Sequence, residues 1–330
     1  MKWLIVSWYK PQSIRWLLSP FSALYRLVIA LRKWCYHHGI FKQYRVPVPV
    51  IIVGNISVGG TGKTPFVIWL TQQLQQQGFK PGIISRGYGG NANNYPLEVD
   101  KDSEPALVGD EPILIARQTS APMVVSPKRI DAANFLLKHH HCNLIIADDG
   151  LQHYALSRNI EIVIVDAERQ FGNQFCLPAG PLREPLSRLQ SVDFIVYNGK
   201  TNHSSHSFNM TLSTKLAVNL SDTSINRELT EFSGQEVHAV AGIGNPRRFF
   251  NQLKTFNIDV IPHEFNDHHP YQKEDIHFGD NKTVLMTEKD AVKCQHLASN
   301  NMWYVPIEVT VSGNLDQLII QKLAGNNPNG

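Results

Sequence analysis

Cysteine is sparse in this 330-residue chain: Cys35, Cys142, Cys176 and Cys294 lie far apart, and no two form a C-x-x-C pair. That spacing argues against a disulfide framework or a zinc knuckle and suits free thiols in a reducing compartment. Neither sign of charge is in large excess, with 31 Lys and Arg against 28 Asp and Glu. A net charge of +3 implies no general affinity for nucleic acid, so the position of each basic residue matters more than their sum. Long apolar runs are missing as well: residues 12–38 are rich in apolar side chains but interrupted by Arg15, Arg26, Arg32 and Lys33. A secretory signal needs an uninterrupted apolar centre, and a spanning helix needs about 20 apolar residues, so neither is expected here. The 42% hydrophobic content still provides for an ordinary globular core, and the length accommodates two domains.

Within residues 12–38, Trp16, Leu17, Leu18, Phe21, Leu24, Tyr25, Leu27, Val28, Leu31 and Trp34 recur at three- and four-residue spacing, as on one helix face. Aromatic residues beside arginines on such a helix suit a segment lying in a membrane interface. A helix packed on a domain core, with its cations in water, has the same signature.

The chemistry-bearing stretch runs from Val53 to Pro65, between an apolar run (48–53) and a helix-like continuation (66–70). Strand, glycine-rich turn ending in Gly62-Lys63-Thr64, and helix together read as a phosphate loop. Glycines let consecutive backbone N–H groups turn toward phosphate oxygens, where the helix N-terminus adds partial positive charge. Asn55, Ser57, Val58, Gly59, Gly60, Thr61, Gly62, Lys63 and Thr64 are therefore candidate nucleotide-binding residues. Lys63 would reach the β- and γ-phosphates and Thr64 would join the coordination of Mg²⁺. Ser57 stands where the general pattern has its first glycine, which moves the flexible part to Gly59, Gly60 and Gly62. A Rossmann turn has no use for Lys-Thr at this point.

Downstream, the expected strand 81–85 runs into Arg86, placed to contact an anionic substrate or nucleotide, and 91–103 reads as an exposed loop. Gly109-Asp110-Glu111-Pro112 opens a helix, where two acids serve either capping or catalysis. The His139–His141 triplet lacks the spacing of helical metal ligands and reads as a solvated helix end. An apolar strand (144–147) delivers Asp148 and Asp149 to its tip, where phosphate-loop enzymes hold Mg²⁺ or its water shell. The proline-rich segment 177–185 carries Arg183, a candidate for phosphate recognition. Alternating strands and helices from 48 to 198 predict one doubly wound α/β domain, and a second α/β unit begins at Val237. Its glycine turn leaves G-x-G-x-x-G incomplete at Arg247, its loop 262–270 is rich in acid and imidazole, and Thr287 caps a helix.

Six of these strings, in order, resemble the tetraacyldisaccharide 4'-kinase family. They are Gly54-Asn55 through Pro65, Ser85 to Gly89, Gly109 to Pro112, Asp148 to His153, Leu177 to Pro185, and Thr287 to Ala291. Ser57 agrees with that family, whereas Asn159 after Arg158 departs from its Arg-Asp. The resemblance implies ATP-dependent phosphorylation, with Mg²⁺, of the 4'-hydroxyl of an acylated glucosamine disaccharide 1-phosphate in lipid A synthesis. It implies a P-loop-type α/β/α sandwich joined by a two-stranded ribbon to a smaller α/β domain. The expected division is an N-terminal interface helix (1–40), a kinase domain (41–207), ribbon and smaller domain (208–311), and a helix returning to the first domain with a flexible tail (312–330). Asp110 would accept the hydroxyl proton with His268 polarising or orienting it, Glu111 and Thr64 would lie near Mg²⁺, and Asp148 and Asp149 near the reacting groups. A lipid acceptor tilts residues 12–38 toward the interfacial reading, at the cytoplasmic face of the inner membrane, with no obligate protein partner. A nucleotide-dependent regulatory or assembly switch is the alternative.

Overall fold

The computed structural model describes residues 7–9, 14–201 and 207–325. In chain order the first strands are β1 (Val50–Gly54), β2 (Pro81–Ser85), β3 (Leu97–Val99), β4 (Met123–Val125), β5 (Leu144–Asp148), β6 (Ile160–Asp166), β7 (Phe194–Asn198) and β8 (Ser207–Ser213). There follow β9 (Leu216–Asn219), β10 (Asn226–Glu228), β11 (Glu236–Ala241), β12 (Asp259–Glu264), β13 (Val284–Thr287), β14 (Met302–Val305) and β15 (Glu308–Val311). They form a nine-stranded sheet, β15-β8-β7-β6-β1-β5-β2-β4-β3, and a six-stranded one, β10-β9-β14-β13-β11-β12. Central strands such as Val50–Gly54 are apolar throughout because both faces of a parallel sheet are covered.

The longer helices are α1 (Ile14–His37), α2 (Lys63–Gln76), α3 (Asp110–Thr119), α4 (Arg129–His139), α5 (Pro246–Lys254), α6 (Glu288–Cys294) and α7 (Leu315–Gly325). Phe66, Leu70, Ile113, Ile115, Leu315 and Ile319 pack on one face of the larger sheet. Ala132, Ala133 and Leu136 of α4 cover the other. The arrangement is a doubly wound three-layer sandwich, and α7 returns to it after the smaller sheet is complete. Parallel pairing of β1 with β5 sets Val53 beside Asp148, which brings the end of β5 to the turn after β1.

The expected ribbon is formed by antiparallel pairing of β15 with β8, Glu308 opposite Ser213, and of β14 with β9, Trp303 opposite Asn219. Each extended segment is two strands rather than one, broken near Thr214-Lys215 and at Pro306-Ile307, so each leg belongs to one sheet and then to the other. Pro306 has no N–H to continue a ladder. Residues 91–103 are not wholly a loop, since β3 pairs antiparallel with β4; three residues are too few to display a period. The flexible tail expected from Asn326 lies outside the described residues.

Helix α1 contacts the body through buried Ser22, whose hydroxyl donates to the Cys176 carbonyl at 2.8 Å, and through Tyr25, whose hydroxyl donates to the Arg183 carbonyl at 3.3 Å. Its opposite face does not pack on a core: Leu17, Phe21, Leu24, Leu27, Val28, Leu31 and Trp34 are 49–73% exposed. Among the described residues no helix is long and apolar enough to cross a membrane. Within the histidine triplet, His140 pairs with Glu98 at 2.9 Å.

Candidate active site

The turn after β1 needs glycine where the chain passes closest to its neighbours. A Cβ on Gly54 would lie 2.6 Å from Leu151 Cβ, and Gly62, at φ +93°, would press 2.5 Å onto the Asn198 amide. The segment 177–185 braces the loop's outer limb: Val58 N–H donates to the Pro181 carbonyl at 2.9 Å, and Arg183 N–H to the Ile56 carbonyl at 2.7 Å. The Val58 amide is thereby engaged within the protein. Asn55 and Ser57 are buried at the loop's base, where the Asn55 amide donates to Thr61 Oγ1 at 3.3 Å and to the Gly59 carbonyl at 3.4 Å. Gly60, Thr61, Gly62, Lys63 and Thr64 instead line a cavity of about 610 Å³ that extends to Glu111, Asp267 and Lys289.

At the tip of β5 the two aspartates differ. Asp149, at φ +49°, faces Lys63 Nζ at 3.6 Å and accepts from Arg183 Nη1 at 3.1 and 3.0 Å. Burial pushes its carboxyl up, but Lys63 and Arg183 together bring it below the usual carboxylate range. Asp148 is raised, first by burial and then by the nearby Glu111 and Asp149 charges, against the pull of Lys63 and Arg129. Its Oδ2 accepts a 3.4 Å bond from Ser85, while Oδ1 has no hydrogen-bond partner among the described residues. Arg129 is itself buried, and burial lowers it to about 10 despite Asp148 and Asp149. Arg86 is exposed at the end of β2, where its charge bears on Arg129.

The smaller sheet contributes the opposite wall. His268 Nδ1 lies 2.8 Å from Asp110 Oδ1 although the two are 158 residues apart in sequence. A carboxylate at that distance assigns a proton to Nδ1, so that in the neutral ring Nε2 holds the lone pair; Nε2 lies 3.8 Å from Asp267 Oδ1. Burial would raise Asp110, but the His268 hydrogen bond and the Lys289 and Lys293 charges bring it below the ordinary value. The same hydrogen bond raises His268, outweighing partial burial and Lys289. Lys289 sits 2.9 Å from both Glu111 and Asp267, and these anions with Asp110 keep its ammonium charged despite burial.

Lys63, Thr64 and Glu111 line one cavity, Asp149 contacts Lys63, Arg183 contacts Asp149, Asp148 precedes Asp149 at the strand tip, and His268 contacts Asp110 next to Glu111. Sequence reasoning missed several of their partners. Lys289 lies in a string that reads as a helix cap and counts among the six family strings, neither of which gives the lysine itself a role. Nothing local marked Arg129, nor Arg248, whose Nη2 donates to Asn198 Oδ1 at 3.1 Å while Asn198 Nδ2 donates to the Thr61 carbonyl at 3.1 Å.

A doubly wound sheet with a phosphate loop after its central strand, acids at the neighbouring strand tip and a second unit across the cleft defines a P-loop kinase. The model of the family described as Tetraacyldisaccharide-1-P 4'-kinase matches residues 14–324, and the chain belongs to that family. A tetraacyldisaccharide 4'-kinase of Nitrosococcus oceani is 51% identical over 316 residues, 96% of this chain and 93% of the relative. One of Methylobacillus flagellatus is 51% identical over 323 residues, covering 98% and 96%. The crystal structure of the "apo" form of LpxK from Aquifex aeolicus in complex with ATP superposes with a TM-score of 0.81 at 30% identity, over 94% of this chain and 100% of that one.

Proposed function

We propose that the chain transfers the γ-phosphoryl group of ATP to the 4'-hydroxyl of a tetraacyl glucosamine disaccharide 1-phosphate in lipid A biosynthesis. The observation that carries the reading is the 2.8 Å pairing of His268 with Asp110, adjacent in sequence to Asp267 and Glu111 respectively, which line the same cavity as Lys63 and Thr64. It gives one cleft both a phosphate-donor side and a proton-accepting side. The switch alternative has no use for the second.

A sugar hydroxyl is a weak acid, so a positioned base helps as its proton leaves. The sequence resemblance assigns that proton to Asp110, and the geometry supports the reverse division of labour. Asp110 is 3% exposed and stabilised as an anion, hence a poor acceptor, whereas His268 is raised and partly open. In this reading Nε2 of His268 takes the proton and Asp110 fixes the tautomer and stabilises the imidazolium. Lys63, aligned by Asp149 and through it by Arg183, neutralises the phosphoryl oxygens. Arg86 contributes positive field on the side open to an anionic acceptor.

For Mg²⁺, the Thr64 hydroxyl and Glu111 carboxylate are hard oxygen donors of the kind that ion takes, and Asp148 Oδ1 is a buried oxygen without a hydrogen-bond partner among the described residues. Held by these residues, the ion would supply positive charge to offset what develops on the phosphoryl oxygens. The exposed apolar face of α1, flanked by Arg26, Arg32 and Lys33, supports peripheral binding to the cytoplasmic face of the inner membrane, where the acceptor's acyl chains remain. The functional division follows the same lines: interface helix 1–40, kinase unit 41–207, ribbon and smaller unit 208–311, returning helix and tail 312–330.

The test is transfer of label from γ-labelled ATP to the purified lipid precursor in micelles. Lys63→Ala is expected to reduce transfer by at least about 100-fold. Undiminished transfer by that variant, or ATP consumption that ignores the acceptor, would favour the switch instead.

A further inference from the structure

We propose that Lys293 and Asp290, neither of which touches the cavity, are positioning residues that hold the Asp110–His268 pair in place. The inference rests on reading that pair as the proton acceptor. Asp110 has two oxygens and only one is taken by His268. The other, Oδ2, is buried, has no hydrogen-bond partner among the described residues, and faces two ammonium groups, Lys293 Nζ at 3.8 Å and Lys289 Nζ at 3.9 Å, of which Lys289 is already held by Glu111 and Asp267. Lys293 is fixed in turn: its side chain is 9% exposed, its Nζ lies 3.0 Å from Asp290 Oδ1, and it sits 4.9 Å above the Tyr271 ring. Carboxylate, ammonium, carboxylate and imidazole therefore alternate along one line from Asp290 to His268, crossing from the smaller unit to the larger and back.

Asp290 is suited to anchor that line because it is fully buried and ties together separate parts of the smaller unit. Its Oδ2 accepts from Thr287 Oγ1 at 2.6 Å and from the Gly242 N–H at 2.9 Å. A Cβ on Gly242 would meet Tyr271 Oη at 2.7 Å and both the Asn266 carbonyl and Asp290 Oδ1 at 3.0 Å. The start of α6 and the turn after β11 thus meet on this one carboxylate, and the loop 265–271 that carries His268 packs against the same turn at Gly242. A loop holding a base at a fixed place needs such an anchor, since a misplacement of about 1 Å costs roughly 100-fold in rate. The Thr287-Glu288-Lys289-Asp290 string acquires a purpose beyond capping: the cap residue and the anchor are hydrogen-bonded to each other, and the helix they open delivers Lys293 one turn later.

A double-mutant cycle on the full chain, with γ-labelled ATP and the lipid precursor, tests this. Lys293→Met is expected to lower kcat roughly 100-fold with the KM for ATP within about two-fold, and to cost nothing further in a His268→Ala background. Lys293→Arg, which keeps the charge, is expected to restore most of the lost kcat. An equal loss in both backgrounds, or a rise in KM in place of the loss in kcat, would overturn the proposal. If Lys293→Met does not purify folded, Lys293→Gln carries the same comparison. Normal kcat in His268→Ala would sink the underlying reading, whereas a His268→Ala loss beside a normal Lys293→Met sinks only this inference.

Discussion

The two halves of the Asp110–His268 contact have opposite shifts, and this makes the pair testable by pH. Asp110→Asn preserves the shape but removes the anion that lifts the imidazole, so His268 should titrate lower and the acid limb of the kcat profile should move to lower pH. The amide also fixes the tautomer less well and cannot stabilise the imidazolium, and kcat is expected to fall by about 100-fold or more. Stability follows a separate sign. His268 is raised in the folded state, so its contribution is complete below the ordinary imidazole value of about 6.5 and fades as pH rises through the folded value. Asp110 is lowered, so its contribution is present above the ordinary carboxylate value and lost only as pH falls through the depressed one. The melting-temperature deficit of His268→Ala should therefore be largest near pH 6 and shrink toward pH 9. An acid limb that does not move in Asp110→Asn would contradict the assigned roles.

At the scale of elements, α1 offers a test that leaves the core untouched. Leu24, Leu27 and Leu31 are 58–65% exposed, so replacing all three with serine should leave melting nearly unchanged. If that face enters the membrane interface, the three lose on the order of 3 kcal/mol of burial together, and partition onto anionic vesicles should drop by about 100-fold along with lipid turnover. Unchanged flotation would remove the interface from the proposal. The exposure that licenses this test could not be read from the sequence, because three- and four-residue spacing describes a helix packed on protein equally well. The strand, loop and helix around Lys63 were legible for the opposite reason: apolar run, glycines and Lys-Thr are all local. Asp148 was legible because an apolar strand ended in acid. Strand β3 was not, because its three residues owe their conformation to β4. The pairings of Lys289 and Arg248 were not legible because their partners lie 178 and 50 residues away.

Over the whole molecule, the contacts that complete the cleft are contacts between the two units. His268 reaches Asp110, Lys289 reaches Glu111, and Arg248 reaches the Asn198 that supports the phosphate loop. Backbone approaches backbone at Gly244 and Gly60, where a Cβ on Gly244 would lie 3.1 Å from the Gly60 nitrogen and 3.4 Å from its Cα. Two glycines facing each other let the smaller unit rest on the loop that holds phosphate, so loop position and closure depend on each other. A kinase gains from this dependence, since a base that arrives only on closure limits transfer to water. Gly244→Val tests it without left-handed backbone as a confounding factor, because Gly244 does not have a positive φ. The added side chain must displace either the phosphate loop or the smaller unit. The expected outcome is a folded protein in which the KM for ATP rises and kcat falls together, by roughly 10-fold or more each. Wild-type kinetics in that variant would mean that the two units never approach this closely during turnover, and the closure argument would fail with it.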